Sequence, residues 1–305
     1  FVNSTYGSNL VSRAPHSYYI VSFPRQGASP KMLKSYTFLP NSEYTNHWCK
    51  MFWGEQKTEL LHPLVRDVGK DTVDFEKDKI ILHVGRFFPD GHSKRQHEIV
   101  RTFKELVERH PEFSDWHLVC AGGLDRDRDD CLAYFEHVSA LAHGGNIQLL
   151  PNAGFDTLNA LYLSAAIYWH ATGFDAGEPE DPYSNEHFGI SVVEAMSACC
   201  IPVVLGKGGP ADIVSSAQFG SKFQTRDEWI SETASWMRKF DEAPDAFARS
   251  SLSAAAAART YQDEAFSKRM AEIFQPVEEA DAAIQRTRGV REFAADAFWR
   301  FIPPV

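Results

Sequence analysis

Two glutamates frame the stretch EHFGISVVEA (186–195), with seven residues between Glu186 and Glu194. A helix that starts near Ile190, just past Gly189, leaves its first amides unpaired and its positive end facing outward, a site for phosphate or a similar anion. Gly189 lets the backbone approach a ligand closely. Glu186 then falls on the loop before the helix, and Glu194 about one turn inside it, directed toward the same pocket. Carboxylates accept hydrogen bonds from hydroxyl pairs such as sugars and riboses present. An anion site between two such carboxylates fits a nucleotide-sugar. Two cations agree: Arg86 and Lys94 follow the apolar run KIILHVG (79–85). With the helix amides they would neutralise a diphosphate without a metal and stabilise the charge that grows on it as it departs. Taken singly, each residue also has an ordinary structural reading: a helix-start carboxylate, surface cations, a near-core His170, a plain turn at Gly208 and Gly209.

The elements that must hold these residues alternate two periods. KIILHVG reads as a buried strand ending at Gly85, and residues 95–110 carry Ile99, Val100, Phe103, Leu106 and Val107 at helical spacing. The rhythm continues with strands at 116–123, 146–152, 166–173 and 201–206, and helices at about 127–142, 156–165 and 190–198. Strands alternating with helices predict a parallel sheet covered on both faces. Such sheets bind ligands beyond the carboxyl ends of their strands, where Gly85, Gly122, Gly123, Gly173 and Gly206 fall. The first 70 residues differ. They predict strands at 16–24 and 35–42, a helix over 43–54, one more strand over 57–65, and a polar linker at 66–79, with too few elements for a whole doubly wound domain. Beyond residue 225 the pattern is helical over 226–240, 245–261 and 264–274, and the aromatic end 291–305 is expected to dock on the rest of the chain.

Composition narrows the function classes. A net charge of −10 argues against a nucleic-acid face. No run of about 18 apolar residues predicts a membrane span. The five cysteines, Cys49, Cys120, Cys131, Cys199 and Cys200, form no C-x-x-C pair and no metal spacing, which predicts buried thiols in a reducing, cytoplasmic setting. No histidine cluster presents itself for a metal, and no G-x-G-x-x-G follows a strand, which disfavours a dehydrogenase.

In order along the chain, VGRFFPDGHSKRQHEIVRTF, LVCAGG, NIQLLPNAGFDTLNALYLSA, NEHFGISVVEAMSACCIPVV and GKGGPADIV resemble the donor-binding domain of the retaining family 4 glycosyltransferases of the GT-B fold. The E-x7-E pair with Phe-Gly inside is the most specific piece, and the resemblance spans roughly 80–225. It implies roles by position. Glu186 binds hydroxyls of the transferred sugar, and Glu194 holds the ribose. Phe188, Gly189 and Ile190 present amides to the phosphates, Arg86 and Lys94 clamp the diphosphate after Gly85, Leu150 to Asn152 lie near the base, and His170 lines the cleft. The donor is a nucleotide-diphosphate-sugar of UDP or GDP type, with no other cofactor and no metal. The acceptor is a glycan, a lipid-linked glycan or a small molecule, and a peripheral contact at a membrane's cytoplasmic face is compatible with it. Cys199 departs from the family, which carries glycine where that helix ends.

The expected organisation is an α/β, GT-B-like chain: a partial N-terminal, acceptor-side unit at 1–71, a Rossmann-like nucleotide-sugar domain at 72–265, and C-terminal helices at 266–305 crossing back to the first unit. The expected function is retaining transfer of a sugar from a nucleotide-diphosphate donor. The alternatives are a non-catalytic nucleotide-sugar-binding remnant and a GT-B nucleotide-sugar epimerase. Nothing in the sequence reads on oligomeric state.

Overall fold

The computed structural model describes residues 1–69, 76–175, 181–279 and 282. The N-terminal unit is a parallel three-stranded sheet of β1 (Val2–Asn3), β2 (Tyr18–Val21) and β3 (Thr37–Pro40), in that order, with α1 (Pro30–Leu33) and α2 (Glu43–Trp53). Tyr19, Val21, Met32, Tyr36, Phe38 and Cys49 form its core. The strand expected over 57–65 is not formed; a single bridge joins Thr58 to Phe38. The segment runs beside β3 through Phe38 N–H to Lys57 O at 2.8 Å, Glu59 N–H to Phe38 O at 2.9 Å and Leu61 N–H to Pro40 O at 3.0 Å. Pro40 and Pro63 both lack the amide that would extend such a ladder.

The larger sheet holds β4 (Asp78–Val84), β5 (His117–Gly122), β6 (Ile147–Pro151), β7 (Ala165–His170), β8 (Ile201–Leu205) and β9 (Ser221–Phe223). All five pairings are parallel, in the order β6-β5-β4-β7-β8-β9. Numbered from β4, that is 3-2-1-4-5-6, the doubly wound dinucleotide-binding order, whose switch point lies between β4 and β7. The helices are α3 (Gln96–Arg109), α4 (Asp129–Ala142), α5 (Phe155–Ser164), α6 (Ile190–Ser197), α7 (Gly209–Ile213), α8 (Arg226–Glu242) and α9 (Pro244–Ala258). They cover both faces, so every residue of β7 and β8 is buried. One core layer packs Trp169 and Trp229 with α3 and α8, and the other packs Tyr162 and Tyr168 with α6 and α9. All five cysteines are buried free thiols.

A further helix over 263–279 leaves this domain and packs Phe266, Met270, Ile273, Phe274 and Val277 against Tyr18, Leu39 and Leu61 of the first unit. The Tyr18 hydroxyl donates to Ile273 O at 3.2 Å, and Arg269 donates to Leu60 O at 2.9 Å. The boundary expected near residue 70 and the aromatic end 291–305 lie outside the described residues.

Candidate active site at the switch point

β4 and β7 pair at the switch point, and their carboxyl ends deliver the loop from Gly85 to Lys94 and His170. Glu186 arrives from the opposite side, on the loop that enters α6. Its carboxylate meets Lys94 Nζ at 2.5 Å, His170 Nε2 at 3.3 Å and His92 Nε2 at 3.6 Å. The Lys94 and Glu186 side chains are only 14% and 17% exposed, which shields the pair from water. Burial pushes the Glu186 carboxyl up, but hydrogen bonds from His170 and His92 and the charge of Lys94 more than offset it and hold it well below the usual carboxylate range. Burial likewise lowers His170. A neutral His170 that donates its Nε2 hydrogen to the carboxylate leaves Nδ1 bare, and that atom is buried without a partner.

The backbone around Glu186 is equally fixed. Gly209 N–H donates to Glu186 O at 2.8 Å. A Cβ on Gly208 would lie 2.4 Å from Glu186 O, and one on Gly209 would lie 2.5 Å from His187 O. The Gly208 and Gly209 turn is therefore the floor under the Glu186 loop. Gly189, the N-cap of α6, has φ 113°, a conformation suited to glycine. The helix start it sets leaves the first amides of α6 without intrahelical partners.

Glu194 sits inside α6 in different company. The Tyr162 hydroxyl donates to its Oε2 at 3.0 Å, and Arg66 NH2 lies 3.5 Å from its Oε1. Arg66 also donates to Asn159 Oδ1 at 2.6 Å and rests over the Phe155 ring. Among the described residues no side chain hydrogen-bonds to both glutamates. The remaining expected residues divide. Phe188 is buried against Tyr261, and Ile190 is exposed at the start of α6. Gly85 packs against Lys94, whose Cγ would lie 2.7 Å from an added Cβ. Arg86, expected beside Lys94, instead stacks on Phe88 and lines a separate cleft of about 410 Å³ with Asn152, Gly123 and Arg128. Its guanidinium lies 4.9 Å from the Phe88 ring centroid, a cation–π contact. Leu150 packs into the core, and Asn152 bonds both backbone groups of Leu124, at 2.9 and 3.0 Å. Four functional candidates escaped the sequence reading: His92, Tyr162, His187 and Arg66. His92 lies within a quoted motif, Tyr162 within a helical run and His187 inside E-x7-E, while Arg66 is 128 residues from its partner and carries no local signal.

The model for "Glycosyl transferases group 1" matches residues 67–249, more than half of the chain. The chain belongs to this glycosyltransferase family. It is 28% identical over 193 residues to the Yarrowia lipolytica GDP-Man:Man(3)GlcNAc(2)-PP-Dol alpha-1,2-mannosyltransferase, covering 58% of this chain and 28% of that protein. It is 28% identical over 222 residues to the Dictyostelium discoideum protein of the same name, covering 66% of this chain and 41% of that one. The chain thus spans less than half the length of these glycosyltransferases. A solved Rickettsia africae glycosyltransferase superposes with a TM-score of 0.65 at 14% identity, over 85% of this chain and 70% of that one, and supports the GT-B-like fold. No helix among the described residues is long and apolar enough to cross a membrane.

Proposed function

We propose that this chain transfers a sugar from a nucleotide-diphosphate donor to an acceptor glycan with retention of configuration. The observation that carries the reading is the ionised Glu186 held by Lys94 and His170 at the switch point, beside the unpaired amides of α6. In this reading Glu186 accepts hydroxyls of the transferred sugar, and Glu194 accepts the ribose. The amides at Phe188, Gly189 and Ile190, with Lys94, take the diphosphate. Lys94 then exchanges its contact with Glu186 for the departing phosphate oxygen, and the charge that forms there is met without a metal. Arg86 and Asn152 border the neighbouring cleft, with Leu150 in the core beside it, which suits the base. Residues 1–71 supply the acceptor side, and the helix over 263–279 ties the two units together. The relatives' names make GDP-mannose the first donor to test, with a lipid-linked glycan as acceptor.

Calorimetric titration of GDP, UDP and ADP into the wild type and Glu194→Ala tests the pocket. Selective binding of one nucleotide, weakened tenfold or about 1.4 kcal/mol in the variant, supports it; no binding of any of the three removes it. Product analysis by NMR separates the reactions. A new glycoside with the donor's anomeric configuration supports retaining transfer, an inverted glycoside overturns retention, and an altered free nucleotide-sugar means epimerisation. Nucleotide binding with no turnover would mean a binding remnant, a reading that the chain's partial coverage of its relatives keeps in view.

A further inference from the structure

The Glu186 loop is gripped from the N-terminal unit as well as from its own domain. Ser42 caps α2 by accepting from Thr45 N–H at 3.0 Å, and the same hydroxyl donates to His187 O at 2.5 Å. Two residues on, the Tyr44 hydroxyl donates to Pro182 O at 3.0 Å and accepts from the buried Asn185 Nδ2 at 3.1 Å. Phe23, two residues past the end of β2, stacks on the His187 ring with centroids 4.0 Å apart and planes 13° from parallel. The grip is returned: Asp212 of α7 accepts from Tyr44 N–H at 3.1 Å, so a carboxylate of one unit caps the helix of the other. A helix N-terminus has several orphan amides, and Ser42 satisfies only one of them. Asp212 takes a second, and α7 is the helix that begins at the Gly208 and Gly209 turn under Glu186. The loop is clamped between two elements that also hold each other.

We propose that the first turn of α2, through Ser42 and Tyr44, positions Glu186, and that Asp212 locks that turn from across the interface. The N-terminal unit would then do more than receive the acceptor: it would set the sugar-binding carboxylate. None of these residues hydrogen-bonds to Glu194, Arg66 or Tyr162 among the described contacts, so transfer should suffer more than nucleotide affinity, which the clamp reaches only through the phosphate amides of the same loop. The assignment of sugar binding to Glu186 rests on the function proposed above; the clamp itself does not.

The test uses Tyr44→Phe, Asp212→Ala and Asp212→Asn in the full chain, with three readouts. Tyr44→Phe and Asp212→Ala should lower kcat for transfer about tenfold while Kd for GDP rises no more than about threefold. Asp212→Asn should recover most of the loss, because asparagine caps as well as aspartate. Hydrogen exchange at the Gly209 amide, which bonds Glu186 O, should speed up at least fivefold in Tyr44→Phe and Asp212→Ala and recover in Asp212→Asn. Equal losses in kcat and GDP affinity, or an Asp212→Asn variant as impaired as Asp212→Ala, would overturn the proposal. If the wild type transfers no sugar, the proposed function fails and the exchange readout still decides the clamp: unchanged Gly209 exchange in both damaged variants overturns it.

Discussion

Glu186 and Glu194 are the same residue type, eight positions apart on one loop and helix, yet they live in opposite surroundings. Glu186 faces a lysine at 2.5 Å and two imidazoles, on a backbone fixed from both units. Glu194 faces a tyrosine hydroxyl and an arginine at 3.5 Å that Asn159 and Phe155 also hold, and its partners come from α5 and the segment before β4. The first environment suits charge that changes during a reaction, because it is built of cations and titratable donors. The second suits a neutral hydroxylated ligand held unchanged, because it offers an oriented acceptor with little competing charge. The E-x7-E spacing gives the two carboxylates one helix start to share, while the tertiary partners divide the work between them.

The largest effect should fall on the Glu186 side. Lys94→Ala removes the group that both pairs with Glu186 and meets the departing diphosphate, and kcat for transfer should fall on the order of 10²-fold or more, about 2.7 kcal/mol. Steady-state kinetics with a saturating donor measures it. A loss confined to KM would place Lys94 in ground-state binding and erase the contrast between the carboxylates.

The same side should govern the response to acid. His83 and His187 are pushed down to about 3, chiefly by burial, and His170 is also lowered. A group whose folded pKa lies below its unfolded value binds more protons when unfolded, so folding weakens as pH drops. The histidine contribution is whole above about 6.5 and is lost progressively below it. Glu186, also lowered, adds its own loss only below about 4.3, as pH falls toward its folded value. Denaturant unfolding should therefore show stability declining from pH 7 to 5 and steepening below 4.3. A flat profile from 7 to 5 would mean these imidazoles are not held neutral. Beside Glu194, Tyr162 is pushed upward chiefly by burial, stays a phenol throughout this range and adds no slope.

On the Glu194 side the expected effects are smaller. Tyr162→Phe removes one hydrogen bond to a carboxylate, and such bonds contribute about 1.5–3 kcal/mol when buried. The half-exposed Arg66 remains, so GDP affinity should drop roughly three- to tenfold, about 0.7–1.4 kcal/mol, with kcat unchanged. Calorimetry beside single-turnover rates checks both halves. A fall in the chemical rate equal to the fall in affinity would show that the ribose side feels the reaction too.

This division was only half readable in the sequence. The β4-to-β8 alternation and the helix start at Ile190 are set by apolar period and glycine placement, which act over a few residues; Glu186, Lys94 and His170 were legible only one by one, and the folded sheet brings them together. The partners of Glu194 were not readable, because Arg66 reaches it only once the chain before β4 has packed on α6. The short β9 escaped for a related reason: three residues show no period, and the strand exists because β8 offers it an edge. The strand expected over 57–65 failed at its own Pro63 and opposite Pro40 of β3, local signals that the apolar pattern outweighed. Arg86 was placed by its position just past the strand that ends at Gly85, yet its guanidinium lies over the neighbouring Phe88 ring.

The smallest effect belongs to the far end of the helix that carries Glu194. α6 closes with Cys200 N–H on Ala195 O at 2.9 Å and Cys199 N–H on Met196 O at 2.9 Å, the paired bonds of a Schellman cap. That cap needs a left-handed residue, and Cys199 supplies it at φ 63° where glycine would be unstrained. Its side chain is buried, so replacing it changes two things at once: backbone strain and packing of the sulfur. The pair Cys199→Ala and Cys199→Gly separates them. Both lose the sulfur, and only the glycine loses the strain, so it should be the more stable of the two by about 1 kcal/mol. Denaturant midpoints at constant m measure the difference. Neither variant should alter GDP affinity or transfer, because the cap lies beyond Glu194 on the side away from Glu186. A change in GDP affinity with either one would mean that Glu194 is set by the whole helix rather than by Tyr162 and Arg66, and the local account of the second carboxylate would have to be given up.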